Sequence, residues 1–397
     1  MRRVLALVVG VGLATTVAAC GSSGGGGGGS GSGGNGPIVI GTSISKTGVY
    51  AASADFALRG YEYWVDEINA KGGLLGRQVQ LKVMDDKSEP GTAIQLYTKL
   101  ITQDHVDVIV GPYSSGISQA IAPLAEKFQM PIVQPEASAS NIFDGTKYNL
   151  QGIKPADAYL TQVADVAAQT APDAKTMAMF VDNTPATTTM CSSLKDAAAG
   201  KGIKTVFEQQ YPNGTSDFSS MVLAAKAQSP GIVVGCSYVP DSIGLAKEMS
   251  RQGLAPKVAG FSIGPAEPTF GQSLGKAADG VLGSTSWWPT LTTPGNKEFV
   301  AGFQKKYNEL PDYHSAANYA SLSVLGAAVE KAGTIDPAKL NDTLHSITVP
   351  TIEGQYKVDA QGHQLGFNEY LLQWNGGTSK LVWPPADAQT KPTSFGG

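Results

Sequence analysis

The chain has 397 residues, and the roughly 360 that follow its first 36 exceed the ~250–300 at which one hydrophobic core stops growing. Lys and Arg number 29 against 33 Asp and Glu; without Arg2 and Arg3 the balance is 27 − 33 = −6. The charges are mixed along the chain with no basic run, which argues against a nucleic-acid partner and for a body of two domains.

Arg2 and Arg3 precede an apolar run from Val4 to Ala19 that ends in Val17-Ala18-Ala19-Cys20. A charged start, a short apolar stretch and small residues before a cut site predict a secretory signal peptide over 1–19, too short for a spanning helix. The Cys that closes the small-residue site resembles the lipobox of bacterial lipoproteins, which implies that Cys20 becomes the lipid-modified first residue. Of the sixteen residues from Gly21 to Gly36, eleven are Gly, four Ser and one Asn. Such a stretch buries no apolar surface and acts as a flexible leash with a reach of roughly 22 Å, so 20–36 reads as lipidated Cys plus linker.

Beyond the linker, strands and helices alternate. Residues 38–44 predict a strand, 55–69 a helix, 79–84 a strand, 92–100 a helix and 106–110 a fully apolar buried strand. Gly111 turns the chain into a helix over 115–128, and 131–133 begins the next strand. The rhythm continues with strands at 176–181, 203–207, 232–234 and 257–261, and helices at 187–199, 218–227 and 242–251. This predicts an α/β fold of two parallel sheets flanked by helices. After 296 come three helices (297–307, 316–331, 337–344) and then short strands at 355–358 and 369–374.

Ligands of open α/β sheets sit beyond the carboxyl ends of strands, so those loops are searched first. Gly111-Pro112-Tyr113-Ser114-Ser115-Gly116 joins the most apolar strand to a helix and places Ser115 at or near its N-cap. Free N–H groups, the positive dipole end and two hydroxyls could hold an anion, or the serines could simply cap the helix. A similar site could form in Pro135-Glu136-Ala137-Ser138-Ala139-Ser140. Gly260-Phe261-Ser262-Ile263-Gly264 matches the G-x-S-x-G elbow of Ser hydrolases, with His314, His345 and His363 and Asp312, Asp336 and Asp359 downstream. Pro265 and Pro268 interrupt the helix that should follow it, which weakens that reading. The four His, His105 included, are far apart with no ligand at metal spacing, so neither metal nor cofactor is expected.

Ile68-Asn69-Ala70-Lys71-Gly72-Gly73, Leu75-Gly76-Arg77, Asp85-Asp86, Gly111 through Ser115 and Pro131 through Ala137 fall in order at familiar spacings. Together they resemble the type I periplasmic binding proteins of the leucine/isoleucine/valine family, the ligand-binding subunits of ABC importers. The resemblance implies two Rossmann-like lobes, 37–153 plus 285–350 and 154–284 plus 351–397, joined by hinge crossovers around a ligand cleft. Ser115 then matches the Ser that bonds an amino acid's main-chain groups, with Ser114 beside it. Ala137 and Ser138 match further main-chain contacts, and Tyr238 an aromatic of the second lobe. Tyr50 and Ser53 fall where a first-helix Tyr is expected, Asn183 opens the second-lobe helix, and Trp287 could wall the cleft or pack the hinge. Where the family has a Tyr and an acid for the ligand ammonium, this chain has Ala186 and Ser262, with Glu267 nearby. The implied protein is an extracytoplasmic, lipid-anchored monomer that passes a small carboxylate, amide or amino-acid-like solute to an ABC permease by cleft closure. A ligand-sensing receptor subunit on the same fold is the alternative. Cys191 and Cys236, an even pair in an oxidising compartment at strand ends of one sheet, are expected to form a disulfide.

Overall fold

A computed structural model describes residues 36–395. The signal peptide, Cys20 and the Gly/Ser linker lie outside the described residues. From Gly36 onward the chain forms one compact unit.

Strand β1 (Ile38–Ile44) is followed by α1 (Ala51–Ala70), β2 (Val79–Asp85), α2 (Pro90–Thr102), β3 (Val108–Val110), α3 (Ser115–Phe128), β4 (Ile132–Gln134) and β5 (Asn149–Gln151). The five strands form one sheet in the order β2-β1-β3-β4-β5, all parallel. Val108, Ile109 and Val110 are buried, as a run covered by helices on both faces must be.

A second series runs α4 (Thr161–Thr170), β6 (Thr176–Asp182), α5 (Pro185–Gly200), β7 (Lys204–Tyr211), α6 (Ser219–Ala227), β8 (Ile232–Cys236), α7 (Val239–Gln252), β9 (Val258–Phe261), α8 (Pro268–Leu274) and β10 (Val281–Thr285). The chain then gives α9 (Asn296–Tyr307), α10 (Tyr313–Ala332), α11 (Pro337–Ser346), β11 (Val349–Thr351), β12 (Gly354–Tyr356), β13 (Tyr370–Asn375) and β14 (Thr378–Trp383). The second sheet has the order β14-β13-β10-β9-β8-β6-β7. Its β6 to β10 strands are parallel, whereas β13 runs antiparallel to β10 and β14 antiparallel to β13. The sheet is therefore mixed, with an antiparallel edge added to a parallel centre.

Helices α9 and α10 return to the first sheet. Tyr63 of α1 packs against Phe299 and Phe303 of α9. Gly60 of α1 faces α10 so closely that a Cβ there would lie 2.2 Å from the Ser315 carbonyl oxygen. The chain thus passes between the two halves after β5, after β10 and after the β11–β12 hairpin. Both sheets reverse their strand order at one place, between β1 and β3 in the first and between β6 and β8 in the second. Such switch points open a crevice at the carboxyl ends of the strands that flank them. Cys191 of α5 and Cys236, the last residue of β8, are bridged with Cα atoms 5.9 Å apart. Among the described residues no helix is long and apolar enough to cross a membrane.

Candidate functional site

The two crevices face each other across one narrow cavity of about 20 Å³. The first half lines it from the ends of β3 and β4 with Tyr113, Ser114, Ser115, Glu136 and Ser138, and from the start of α10 with Tyr313 and His314. The second half contributes Ala186 at the start of α5, Tyr238 just before α7, and Ile263 beyond β9. Ile153 and Tyr159, on the crossover after β5, complete the wall.

Ser114 is the N-cap of α3, and its Oγ accepts from Ile117 N at 3.4 Å. Its φ of 77° lies in the left-handed region, an uncommon posture for a non-glycine residue. Ser115 is the first helical residue, and its Oγ accepts from Ala139 N at 3.2 Å, which ties the β3 and β4 ends together. Its hydroxyl hydrogen remains to donate. The first N–H groups of α3 have no partner within the helix and point to the same place, with the positive end of the helix dipole behind them. The next loop is fixed through its carbonyls: Gln151 Nε2 donates to Ala137 O and to Ser138 O, both at 3.1 Å. Ala137 is buried and serves by that carbonyl; its side chain does not line the cavity.

Aromatic rings close the cavity. Tyr50 sits between Tyr113 and Tyr238, with ring centroids 5.4 and 5.1 Å away, and its hydroxyl donates to Asn213 Oδ1 at 3.3 Å. A residue of the first half thereby spans to two elements of the second. Burial, helped by the Asp182 charge, pushes the Tyr50 pKa up to about 12, so the bridging group is a neutral phenol.

Beside the serines lies a buried charged cluster. His314 Nδ1 is 3.2 and 3.1 Å from the two carboxylate oxygens of Glu136, and Asn318 Nδ2 donates to Glu136 Oε1 at 2.6 Å. His314 Nε2 lies 3.2 Å from Glu267 Oε1, which also accepts from Ser53 Oγ at 2.5 Å. Burial alone would lower the His314 pKa, yet Glu136, Glu267 and Asp312 hold it well above the ordinary histidine value. Ser53 and Glu267 come from opposite halves, so the cluster is a second bridge across the cleft.

Six expected site residues do not line the cavity: Ala137, Tyr50 and Ser53, which lie beside it as described, and Asn183, Ser262 and Trp287. Asn183 is exposed, because Thr184 behind it caps α5 through Thr187 and turns the Asn side chain outward. Ser262 is wholly buried; its Oγ donates to Ser237 O at 2.7 Å and accepts from Ser237 N at 2.8 Å. That hydroxyl staples the ends of β8 and β9, and its partners include no histidine. Trp287 packs edge-on against Phe299 and donates from Nε1 to Asn296 Oδ1 at 2.7 Å, a hinge-packing role. Conversely, Tyr113, Glu136, Tyr159, Tyr313 and His314 line the cavity without having been singled out as ligand contacts. Tyr113 and Glu136 lie inside the two loops marked by their strand ends. Tyr159, Tyr313 and His314 carry no local signal.

A family model for periplasmic binding proteins matches residues 37–379. The chain belongs to the periplasmic binding protein family. It is 28% identical over 373 residues to Leu/Ile/Val-binding protein homolog 7 of Brucella melitensis biotype 1, covering 88% of this chain and 92% of that relative. Homolog 8 of Brucella abortus (strain 2308) is 26% identical over 374 residues, covering 87% of this chain and 90% of that protein. Among solved structures, the leucine-binding protein LivK of Thermotoga maritima superposes with a TM-score of 0.79 at 22% identity, over 87% of this chain and 97% of that one. LivJ of Streptococcus pneumoniae, in complex with isoleucine, also gives 0.79 at 23% identity, over 88% and 100%. A solute-binding protein from R. palustris in complex with benzoate gives 0.79 at 22%, over 87% and 96%. The fold is that of type I periplasmic binding proteins, and the family and the relatives are solute-binding proteins, not enzymes. The hydrolase reading of Ser262 falls with that finding and with the spent hydroxyl.

Proposed function

We propose that this family member is a lipid-anchored, extracytoplasmic solute receptor that delivers a small carboxylate-bearing molecule to an ABC permease. The observation that carries the reading is the meeting of Ser114, Ser115 and Ser138 from one half with Tyr238 from the other in a single cavity. A solute there touches both halves, so it binds the closed form better than the open one and shifts the hinge equilibrium toward closure. The moving bodies are the lobes 37–153 plus 285–350 and 154–284 plus 351–397, and the permease reads the closed form.

The solute's carboxylate or carbonyl end lies against the N-terminus of α3, where N–H groups and the Ser115 and Ser138 hydroxyls converge. Isoleucine and benzoate, bound by two similar structures, share that group. The rest of the solute lies among the rings of Tyr113, Tyr159, Tyr238 and Tyr313, a wall suited to a planar or apolar body. An α-ammonium group finds no partner at the two family positions, since Ala186 has no polar atom and the Ser262 hydroxyl is engaged by Ser237, and the nearby carboxylates Glu136 and Glu267 are engaged by His314. An unpaired buried ammonium costs several kcal/mol. Leucine, isoleucine and valine are therefore expected to bind less tightly than a carboxylate or aromatic acid without that group.

Calorimetry on the mature body tests both halves of the reading. Ser115→Ala should weaken solute binding about ten- to a hundred-fold, the worth of one hydrogen bond to a charged group. Ligand-free stability should fall by only about 1 kcal/mol, for the lost Ala139 contact. Unaltered affinity would move the solute away from α3, and leucine as the tightest ligand would refute the ammonium argument.

A further inference from the structure

We propose that Glu267, Asp312 and His314 form a divalent-cation site that clamps the two halves of the molecule together. The three side chains are distant in sequence, and each offers a donor atom within 4.8 Å of the other two. Two donors on opposite sides of one cation at 2.0–2.4 Å lie about 4–4.8 Å apart and neighbouring donors lie closer, so the spacing is compatible with a shared cation.

Each carboxylate uses one oxygen to fix itself and leaves the other unpaired. Glu267 Oε1 accepts from Ser53, Asp312 Oδ1 accepts from Ser315 N at 2.8 Å, and His314 Nδ1 faces Glu136. Glu267 Oε2 and Asp312 Oδ2 have no hydrogen-bond partner, and His314 Nε2 faces only Glu267 Oε1, at 3.2 Å. Yet the residues are only 0, 6 and 1% exposed. Buried polar atoms left unpaired are costly, and two such carboxylate oxygens grouped with one imidazole point to a missing positive partner. The Glu136 contact adds the outer arrangement that metal-binding imidazoles use: a carboxylate on the far ring nitrogen, itself oriented by Asn318.

Charge leads to the same place. Glu136, Glu267 and Asp312 surround one imidazole, and among the described residues His314 is the only cationic group within ion-pair distance of Glu136 or Glu267. Even a protonated His314 leaves the cluster negative. A divalent cation takes the place of the imidazole proton at Nε2, releases that proton to solvent, and compensates the carboxylates. Two carboxylates and an imidazole suit Zn²⁺ or Mn²⁺ better than Ca²⁺, and His314 borders the cavity, so a fourth position can face a water or the solute. Glu267 belongs to the second half, whereas Asp312 and His314 open α10 against the first sheet. Binding there holds the cleft closed.

A solute ammonium would bring the same positive charge, and the experiment separates the two. Mature protein freed of metal with EDTA and of solute by partial unfolding and refolding is titrated with Zn²⁺, Mn²⁺ and Ca²⁺ by calorimetry, with melting followed in parallel. One Zn²⁺ per chain should bind and raise the melting temperature, and Glu267→Gln and Asp312→Asn should each lower Zn²⁺ affinity at least about ten- to a hundred-fold. Both variants keep the shape of the parent side chain, and a cooperative melt without metal certifies their fold. His363→Ala, which dismantles the surface group His363–Asp359–Asp144, should leave Zn²⁺ binding unchanged. Absence of Zn²⁺ binding, binding retained in both acid variants, or binding lost in His363→Ala would each overturn the site. So would a Glu267→Gln protein that loses only affinity for amino-bearing solutes in EDTA. Solute affinity measured in EDTA tests the proposed function separately.

Discussion

Removing the bridge between Cys191 and Cys236 by the double change Cys191→Ala, Cys236→Ala frees a loop of 45 residues in the unfolded chain. The chain-entropy relation gives about 13 cal/mol/K for a loop of that length, or about 4 kcal/mol at 25 °C. Both sulfurs are buried, at 2 and 0% residue exposure, so their loss also removes packing and does not offset the entropic term. Against a total stability on the order of 5–15 kcal/mol, this is a large share. The urea midpoint of the ligand-free double variant should fall accordingly, and the slope should rise because the unbridged unfolded chain exposes more surface. The site should feel less. The bridge joins α5, which begins beside Ala186, to the end of β8, from which the chain continues to Tyr238. Parallel pairing of β8 with β6 and β9 still holds that strand end, so solute affinity should drop less than ten-fold. Intact mass before and after reduction, with thiol titration of the native protein, checks the premise. Two reactive thiols without reduction, or an unmoved urea midpoint, would refute the reasoning.

On the proposed anchoring at Cys20, Cys20→Ser should release the protein from membranes or block its processing, the other two cysteines being bridged to each other; unchanged fractionation with normal lipid labelling would overturn the anchor. Burial, opposed by the Asn213 contact, raises Asp182 to about 6, and burial, opposed by the Tyr211 contact, raises Asp241 to about 7. Both exceed the unfolded value of 3.8, so between about pH 4 and 7 the folded state holds more protons than the unfolded one. Their contribution is most favourable below about pH 4 and is lost as pH rises through 7. Relative to Asp182→Asn, Asp241→Asn protein, the parent should therefore melt higher at pH 5 than at pH 8, and parallel melting profiles for the two would count against the assignment.

The loops that build the cavity were readable because their signals are local. A fully apolar strand, a Gly turn and a pair of serines before a helix lie within 106–128, and a helix start needs only neighbouring residues to define it. The same holds for 135–140 and for Tyr238. Strand β14, with Thr, Ser and Lys among its six residues, gave no apolar run, and β5 is three residues with two amides. The edge strand β14 need not be fully apolar, and the amides of β5 are buried but paired, Asn149 with Gln134 and Glu126 and Gln151 with the Ala137 and Ser138 carbonyls, so period and hydropathy fall silent in both. The G-x-S-x-G match misled for the opposite reason: the strand-end position was right, but whether a hydroxyl is free depends on its neighbour, here Ser237 across β8 and β9. Contacts between the halves were the least legible of all. Tyr50 and Asn213 are 163 residues apart, and Ser53 and Glu267 are 214 apart. No spacing rule relates them, because they meet only after two sheets have each placed a switch point toward the other. What a chain writes locally is one wall of a site, whereas the energetics of closure reside in pairs drawn from both walls.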